Sequence, residues 1–328
     1  MKKKFPKKNF TFIDLFAGIG GFRIALESFG GRCVFSSDWD KHSQLTYKDN
    51  FGEVPVGDIT KVNEKDIPRH NVLCAGFPCQ AFSVSGKRKG FKDTRGTLFF
   101  DIARIAKYHK PEILFLENVK NLERHNKGKT LQVICDTLDE IGYDVFKKVL
   151  NASHYGVPQS RKRIYFIAFR KNLGVKDFYF PEPTFKKVRL KDVLESKSKT
   201  KKYIIKRDDI KFYNKVPELK ENIFRSYPLS PIQIGTINKG GQGERIYSVN
   251  GHAITLSAYG GGAGGKTGAY LVNGVVRKLS PKECARVMGF PEDFKISVTN
   301  NQAYKLFGNS IIVPVLKDIF KEVIQKIK

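Results

Sequence analysis

Residues 9–40, NFTFIDLFAGIGGFRIALESFGGRCVFSSDWD, decide how this chain folds. Asn9 to Ala17 is a β-prone apolar run, Gly18, Gly20 and Gly21 interrupt it, and Phe22 to Phe29 repeats apolar residues at helical spacing. Arg32 to Ser37 is a second β-prone run, ending on Asp38-Trp39-Asp40. Strand, glycine turn, helix, strand is the opening unit of a doubly wound sheet, which places its sites at the carboxyl ends of its strands. Asp38 stands at such an end, where a carboxylate accepts hydrogen bonds from ribose hydroxyls, and Trp39, the only tryptophan, can stack on an adenine. The glycine pattern alone fits NAD, FAD and S-adenosylmethionine sites alike, and many such turns bind nothing.

Working outward, Asn71 to Phe77, Glu112 to Glu117 and Arg163 to Phe169 read as further strands, and Leu98 to Lys107 and Thr130 to Ile141 as amphipathic helices. The alternation predicts an α/β fold with a doubly wound, mostly parallel sheet, its crevice collecting Gly18, Asp38, Cys79 and Glu117 from four strand ends. Cys79 lies in CAGFPCQAFS, residues 74–83. Pro78 fixes φ and removes a backbone donor, so the thiol leaves the sheet into a loop, Gln80 to Gly96, rich in lysine and arginine. Nearby cations favour a thiolate and can hold phosphates, although a lone intracellular cysteine is more often a small apolar side chain.

With 328 residues, 41% of them hydrophobic, the chain can bury one large domain and a smaller one. No apolar run reaches membrane-spanning length and Met-Lys-Lys-Lys does not open a secretory signal, so a cytoplasmic protein without membrane contact is expected. Its five cysteines form no Cys-x-x-Cys pair, which favours reduced thiols over disulfides or a metal site. A formal charge of +27 points to a polyanionic partner such as nucleic acid, though solvated surface lysines account for part of it. Past Pro183 the texture changes to a lysine-rich stretch, Lys186 to Lys211, and then to glycine-crowded β-prone runs, Ile232 to Leu271. These shifts divide the chain into a large domain at 1–190, a small β-rich domain at 191–280, a hinge at 281–308 and a C-terminal helix at 309–328.

Pro78-Cys79-Gln80, Glu117-Asn118-Val119, Gln159-x-Arg161-x-Arg163 and Phe307-Gly308-Asn309-Ser310 together resemble the C5-cytosine DNA methyltransferases, in that family's order and over nearly the whole chain. The resemblance implies S-adenosylmethionine as methyl donor, with Phe16, Asp38, Trp39 and Asp58 around the adenosine, Gly18 and Gly20 beside the methionine part, and Asn309 shaping the same pocket. It implies a Cys79 thiolate that adds to C6 of cytosine, Glu117 as acid toward N3, and Arg161 and Arg163 holding the base. Attack on C6 requires the base to leave the stack, so the Gln80 to Gly96 segment reads as a lid. KGGQGERIYS (239–248), LSAYGGG (256–262) and AFSVSGK (81–87) resemble the recognition segments of a GCGC-reading member. By that likeness Ser85 and Gln242 fill the gap in the duplex, Arg245 reads guanine, Tyr259 contacts DNA, and the inner cytosine of GCGC is the target. The expected partner is double-stranded DNA, bound by a monomer, within a restriction-modification system whose endonuclease is a possible functional counterpart. The alternative on the same scaffold is a transfer RNA cytosine-5 methyltransferase; a nicotinamide dehydrogenase or a non-catalytic DNA-binding module explains less of the motif set.

Overall fold

The computed structural model describes residues 9–78, 98–184, 186–214 and 230–327. The first sheet contains β1 (Thr11–Leu15), β2 (Arg32–Ser37), β3 (Val72–Gly76), β4 (Ile113–Val119), β5 (Tyr143–Asn151) and β6 (Lys162–Arg170), in the order β2-β1-β3-β4-β6-β5. Pairings among β1 to β4 are parallel, while β6 runs antiparallel to both its neighbours. One strand in six is therefore reversed, and the sheet is mostly parallel.

Strand residues alternate between two buried faces, as period-two geometry requires. Phe12, Cys74, Phe115 and Ile167 face one apolar cluster, which includes residues of α1 (Gly21–Glu27) and of a C-terminal group of helices. Ile13, Leu73, Leu114 and Phe166 face the other, packed on α3 (Leu98–His109) and α4 (Lys129–Glu140). Covering both faces explains why these strands read as continuous apolar runs. Between β2 and β3 lies α2 (Lys41–Phe51), capped by the Asp40 carboxylate, which accepts from the backbone N–H groups of His42 and Ser43.

The second sheet is smaller: β7 (Ile210–Phe212), β8 (Ile232–Ile237), β9 (Arg245–Ser248), β10 (Ala269–Val272) and β11 (Val275–Arg277), in the order β11-β10-β9-β8-β7. A four-residue helix, α5 (Lys197–Thr200), precedes it. After it come α6 (Pro281–Met288), α7 (Asn300–Asn309) and α8 (Val313–Lys326), which carry the chain back onto the first sheet, where Phe320 stacks on Phe115. The Arg277 guanidinium and the Glu283 carboxylate form a fully buried two-point ion pair joining β11 to α6.

Candidate active site

Because β1 to β4 are parallel, their carboxyl ends share one edge, and the reversal of β6 brings its amino end to that same edge. Arg163 thereby comes to lie opposite Val119, two residues past Glu117. A cleft of ≈ 390 Å³ opens along this edge, and ten of the residues singled out from sequence line it: Phe16, Gly18, Asp38, Trp39, Asp58, Glu117, Arg161, Arg163, Tyr259 and Asn309. Pro78 is also in its wall. Cys79 and Ser85 lie outside the described residues. The exposed Gln242, in the turn before β9, and the exposed Arg245, at the start of β9, lie outside the lining.

At one end Glu117 is only 7% exposed. Burial raises its pKa, and Arg163 and Arg161 oppose the rise without cancelling it. Its Oε1 lies 3.2 Å from Arg163 Nε but accepts no hydrogen bond, leaving a buried oxygen open to a further donor or proton. The buried Asn118 donates through Nδ2 to the Phe77 carbonyl oxygen at 2.9 Å, which fixes the end of β3 just before Pro78.

Arg161 departs from the expectation that both guanidiniums are presented together to a base. Its terminal nitrogens donate to three carbonyls, Nη1 to Leu256 (3.1 Å) and Nη2 to Gly308 (3.0 Å) and Ser310 (2.7 Å). Only its Nε is without a partner. Gln159 works beside it, accepting from the Leu256 N–H and donating to the Val287 carbonyl. The two side chains thus clamp a loop of the second sheet and the end of α7 against the start of β6.

At the other end Asp38 accepts from the Gly18 N–H at 2.8 Å and from the Asp40 N–H at 2.9 Å. Each carboxylate oxygen keeps a free lone pair direction. In front of Gly18 there is open space, whereas a Cβ on Gly20 would collide with the Phe51 ring. Gly20 is therefore held as glycine by the packing of α1 against α2, and it is not among the residues that line the cleft. Trp39 is 66% exposed over the cleft. Asp58 is half-buried and already accepts from Thr60, which holds its pKa below the usual carboxylate range. Lys305, which the sequence reading missed because α7 is remote in the chain, crosses the rim to pair with Asp40 at 2.8 Å. Among the described residues no cluster of three or more His, Cys, Asp or Glu side chains is placed to hold a metal ion, and no helix is long and apolar enough to cross a membrane.

The fold agrees with what similarity to known proteins shows. Residues 10–325 match the family described as C-5 cytosine-specific DNA methylase. The chain is 55% identical to the type II methyltransferase M.HhaI of Haemophilus parahaemolyticus, covering 94% of this chain and 92% of that protein. It is 44% identical to the type II methyltransferase M.HpaII of Haemophilus parainfluenzae, covering 98% and 91%. Among solved structures, the S. pombe Dnmt2 methyltransferase superposes with a TM-score of 0.71 at 21% identity, over 97% of this chain and 99% of that one, a likeness of fold alone. The chain belongs to the C-5 cytosine-specific DNA methylase family.

Proposed function

We propose that this enzyme, a DNA (cytosine-5-)-methyltransferase of the restriction-modification type, transfers the methyl group of S-adenosylmethionine to a cytosine flipped out of duplex DNA, through a covalent Cys79 adduct, at the inner cytosine of GCGC. One observation supports the reading most. A single cleft holds a buried carboxyl of raised pKa beside an arginine at one end and a nucleoside-type carboxylate at the other, with Pro78, the neighbour of Cys79, in the wall between them.

The residues present fit the donor. Asp38 has acceptor capacity left for ribose hydroxyls, Trp39 and Phe16 offer aromatic faces for adenine, Asp58 can accept from its amino group, and the open space at Gly18 admits the methionine part against the backbone. Asn309, at the end of α7, closes the same wall. When bound, the donor supplies an electrophilic methyl group.

Cytosine C5 is a poor nucleophile, so electron density must first be raised there by addition at C6. Thiolate addition by Cys79 does this and loads negative charge onto N3 and O2. On this reading the protonated Glu117 relieves that charge at N3, and Arg163, 3.2 Å from the Glu117 carboxylate, donates toward O2. Arg161 keeps the wall in place. Recognition falls to Gln242, Arg245, Tyr259 and Ser85, with Arg245 giving two hydrogen bonds to guanine. Bisulfite mapping of duplex DNA treated with enzyme and S-adenosylmethionine tests the reading: methylation confined to the inner cytosine of GCGC is expected. A map centred on another motif removes the assignment of the recognition residues, and modification of transfer RNA in preference to duplex DNA removes the substrate.

A further inference from the structure

We infer that Gly243 and Gly264 are specificity-positioning residues, a backbone-to-backbone lock that sets where Gln242 and Arg245 stand relative to the rest of the enzyme; this rests on the reading of those two side chains as the readers of DNA. The turn that carries them is held internally by Glu244. Its carboxylate accepts from the Gly241 N–H (3.0 Å) and from Asn238 Nδ2 (3.0 Å), and its backbone closes the turn through the Ile237 N–H bond to the Glu244 carbonyl (2.7 Å). A turn closed on itself still needs a reference outside itself, and the loop that follows Tyr259 supplies one.

The Gly264 N–H donates to the Gly243 carbonyl at 2.7 Å. No side chain fits between the two loops. A Cβ on Gly264 would stand 2.9 Å from that carbonyl oxygen and 2.7 Å from the Ala269 nitrogen, and a Cβ on Gly243 would collide with the Gly261 carbonyl. Gly243 also has φ +83°, a conformation L side chains rarely adopt. The second loop is itself anchored, since Lys266 Nζ donates to Asn301 Oδ1 on α7 at 2.9 Å and the Ser257 N–H donates to the Lys266 carbonyl at 2.9 Å. A rigid path thus runs from α7, which also carries the cleft residue Asn309, to the two readers. A two-point guanine contact tolerates displacements of only about 0.5 Å, so a displaced turn loses discrimination before it loses charge attraction to the duplex.

Full-length Gly264→Ala and Arg245→Ala enzymes are compared with wild type for methylation of a GCGC duplex against duplexes with one base changed, with calorimetric affinity for S-adenosylhomocysteine and melting temperature measured alongside. Gly264→Ala is expected to lose at least about tenfold in discrimination while product affinity is kept. A folded Gly264→Ala with full discrimination, while Arg245→Ala has lost it, overturns the lock. Full discrimination in Arg245→Ala instead overturns the reading of Arg245 and the lock with it. Should Gly264→Ala melt early, Lys266→Met frees the same loop without a buried clash; unchanged discrimination there overturns the proposal.

Discussion

Replacing Glu117 by Gln keeps the volume and a hydrogen-bond donor in a side chain that is 7% exposed, but removes the transferable proton. General acid catalysis typically contributes about 10²- to 10⁴-fold, or roughly 3 to 5 kcal/mol of barrier, and that is the expected loss in single-turnover rate. Affinity for S-adenosylhomocysteine should stay within about threefold, because Asp38 and Gly18 act at the opposite end of the cleft. The sign of the pH dependence follows from the raised pKa. The active form carries the Glu117 proton and a Cys79 thiolate, so the profile has an acidic limb set by the thiol and a basic limb on which the rate falls as pH rises through the folded-state value of Glu117. The basic limb should vanish in Glu117→Gln. The same shift bears on stability: the folded chain holds a proton the unfolded chain has already lost, so native stability falls as pH rises through this window, and melting curves should favour the Gln variant increasingly. Equal losses in rate and cofactor affinity, or an unchanged basic limb, would refute the acid role.

Three further outcomes are expected. Asp38→Ala should weaken S-adenosylmethionine binding by about 1 to 3 kcal/mol, since ribose hydroxyls and the Gly18 N–H lose their acceptor; unaltered calorimetric affinity rejects that placement. His70 is buried, and desolvation, with help from His109, pushes its pKa down from 6.5 to about 4. The unfolded chain therefore takes up a proton that the folded chain refuses, stability is lost as pH falls from 6.5 toward 4, by about 3 kcal/mol in all, and His70→Asn should show a shallower loss in denaturant titrations across that range. Arg277→Met strands the Glu283 carboxylate and should cost about 3 to 5 kcal/mol in unfolding free energy, part of which Glu283→Gln restores in the double variant; no recovery there would show that packing, not charge, is lost.

The parts of this site legible from sequence are those that short-range chemistry writes. The glycine turn, the acid closing β2 and the Glu-Asn-Val closing β4 are each a few residues long and sit where an apolar run stops, so Gly18, Asp38 and Glu117 could be assigned to one edge. Helix α2 was not anticipated, because KHSQLTYKDNF buries few apolar residues and depends on its Asp40 cap. Strand β5 escaped notice for a related reason, its middle being largely half-buried or exposed. What sequence could not show was long-range. The reversal of β6 is a property of the sheet, and the diversion of Arg161 onto Leu256, Gly308 and Ser310 joins residues about a hundred or more positions apart. The Lys305–Asp40 bridge across the rim is of the same kind.

The central claim is covalent catalysis by Cys79. It is tested most directly with a duplex carrying 5-fluorocytosine at the inner position of GCGC, incubated with enzyme and S-adenosylmethionine and analysed by denaturing electrophoresis and peptide mass spectrometry. Fluorine cannot leave C5 as a proton does, so after methyl transfer the adduct cannot resolve. The account predicts a stable protein–DNA conjugate attached at Cys79, dependent on the methyl donor and absent from Cys79→Ser, which should still bind DNA. Near-normal turnover by Cys79→Ser, or a conjugate attached at another residue, would contradict it.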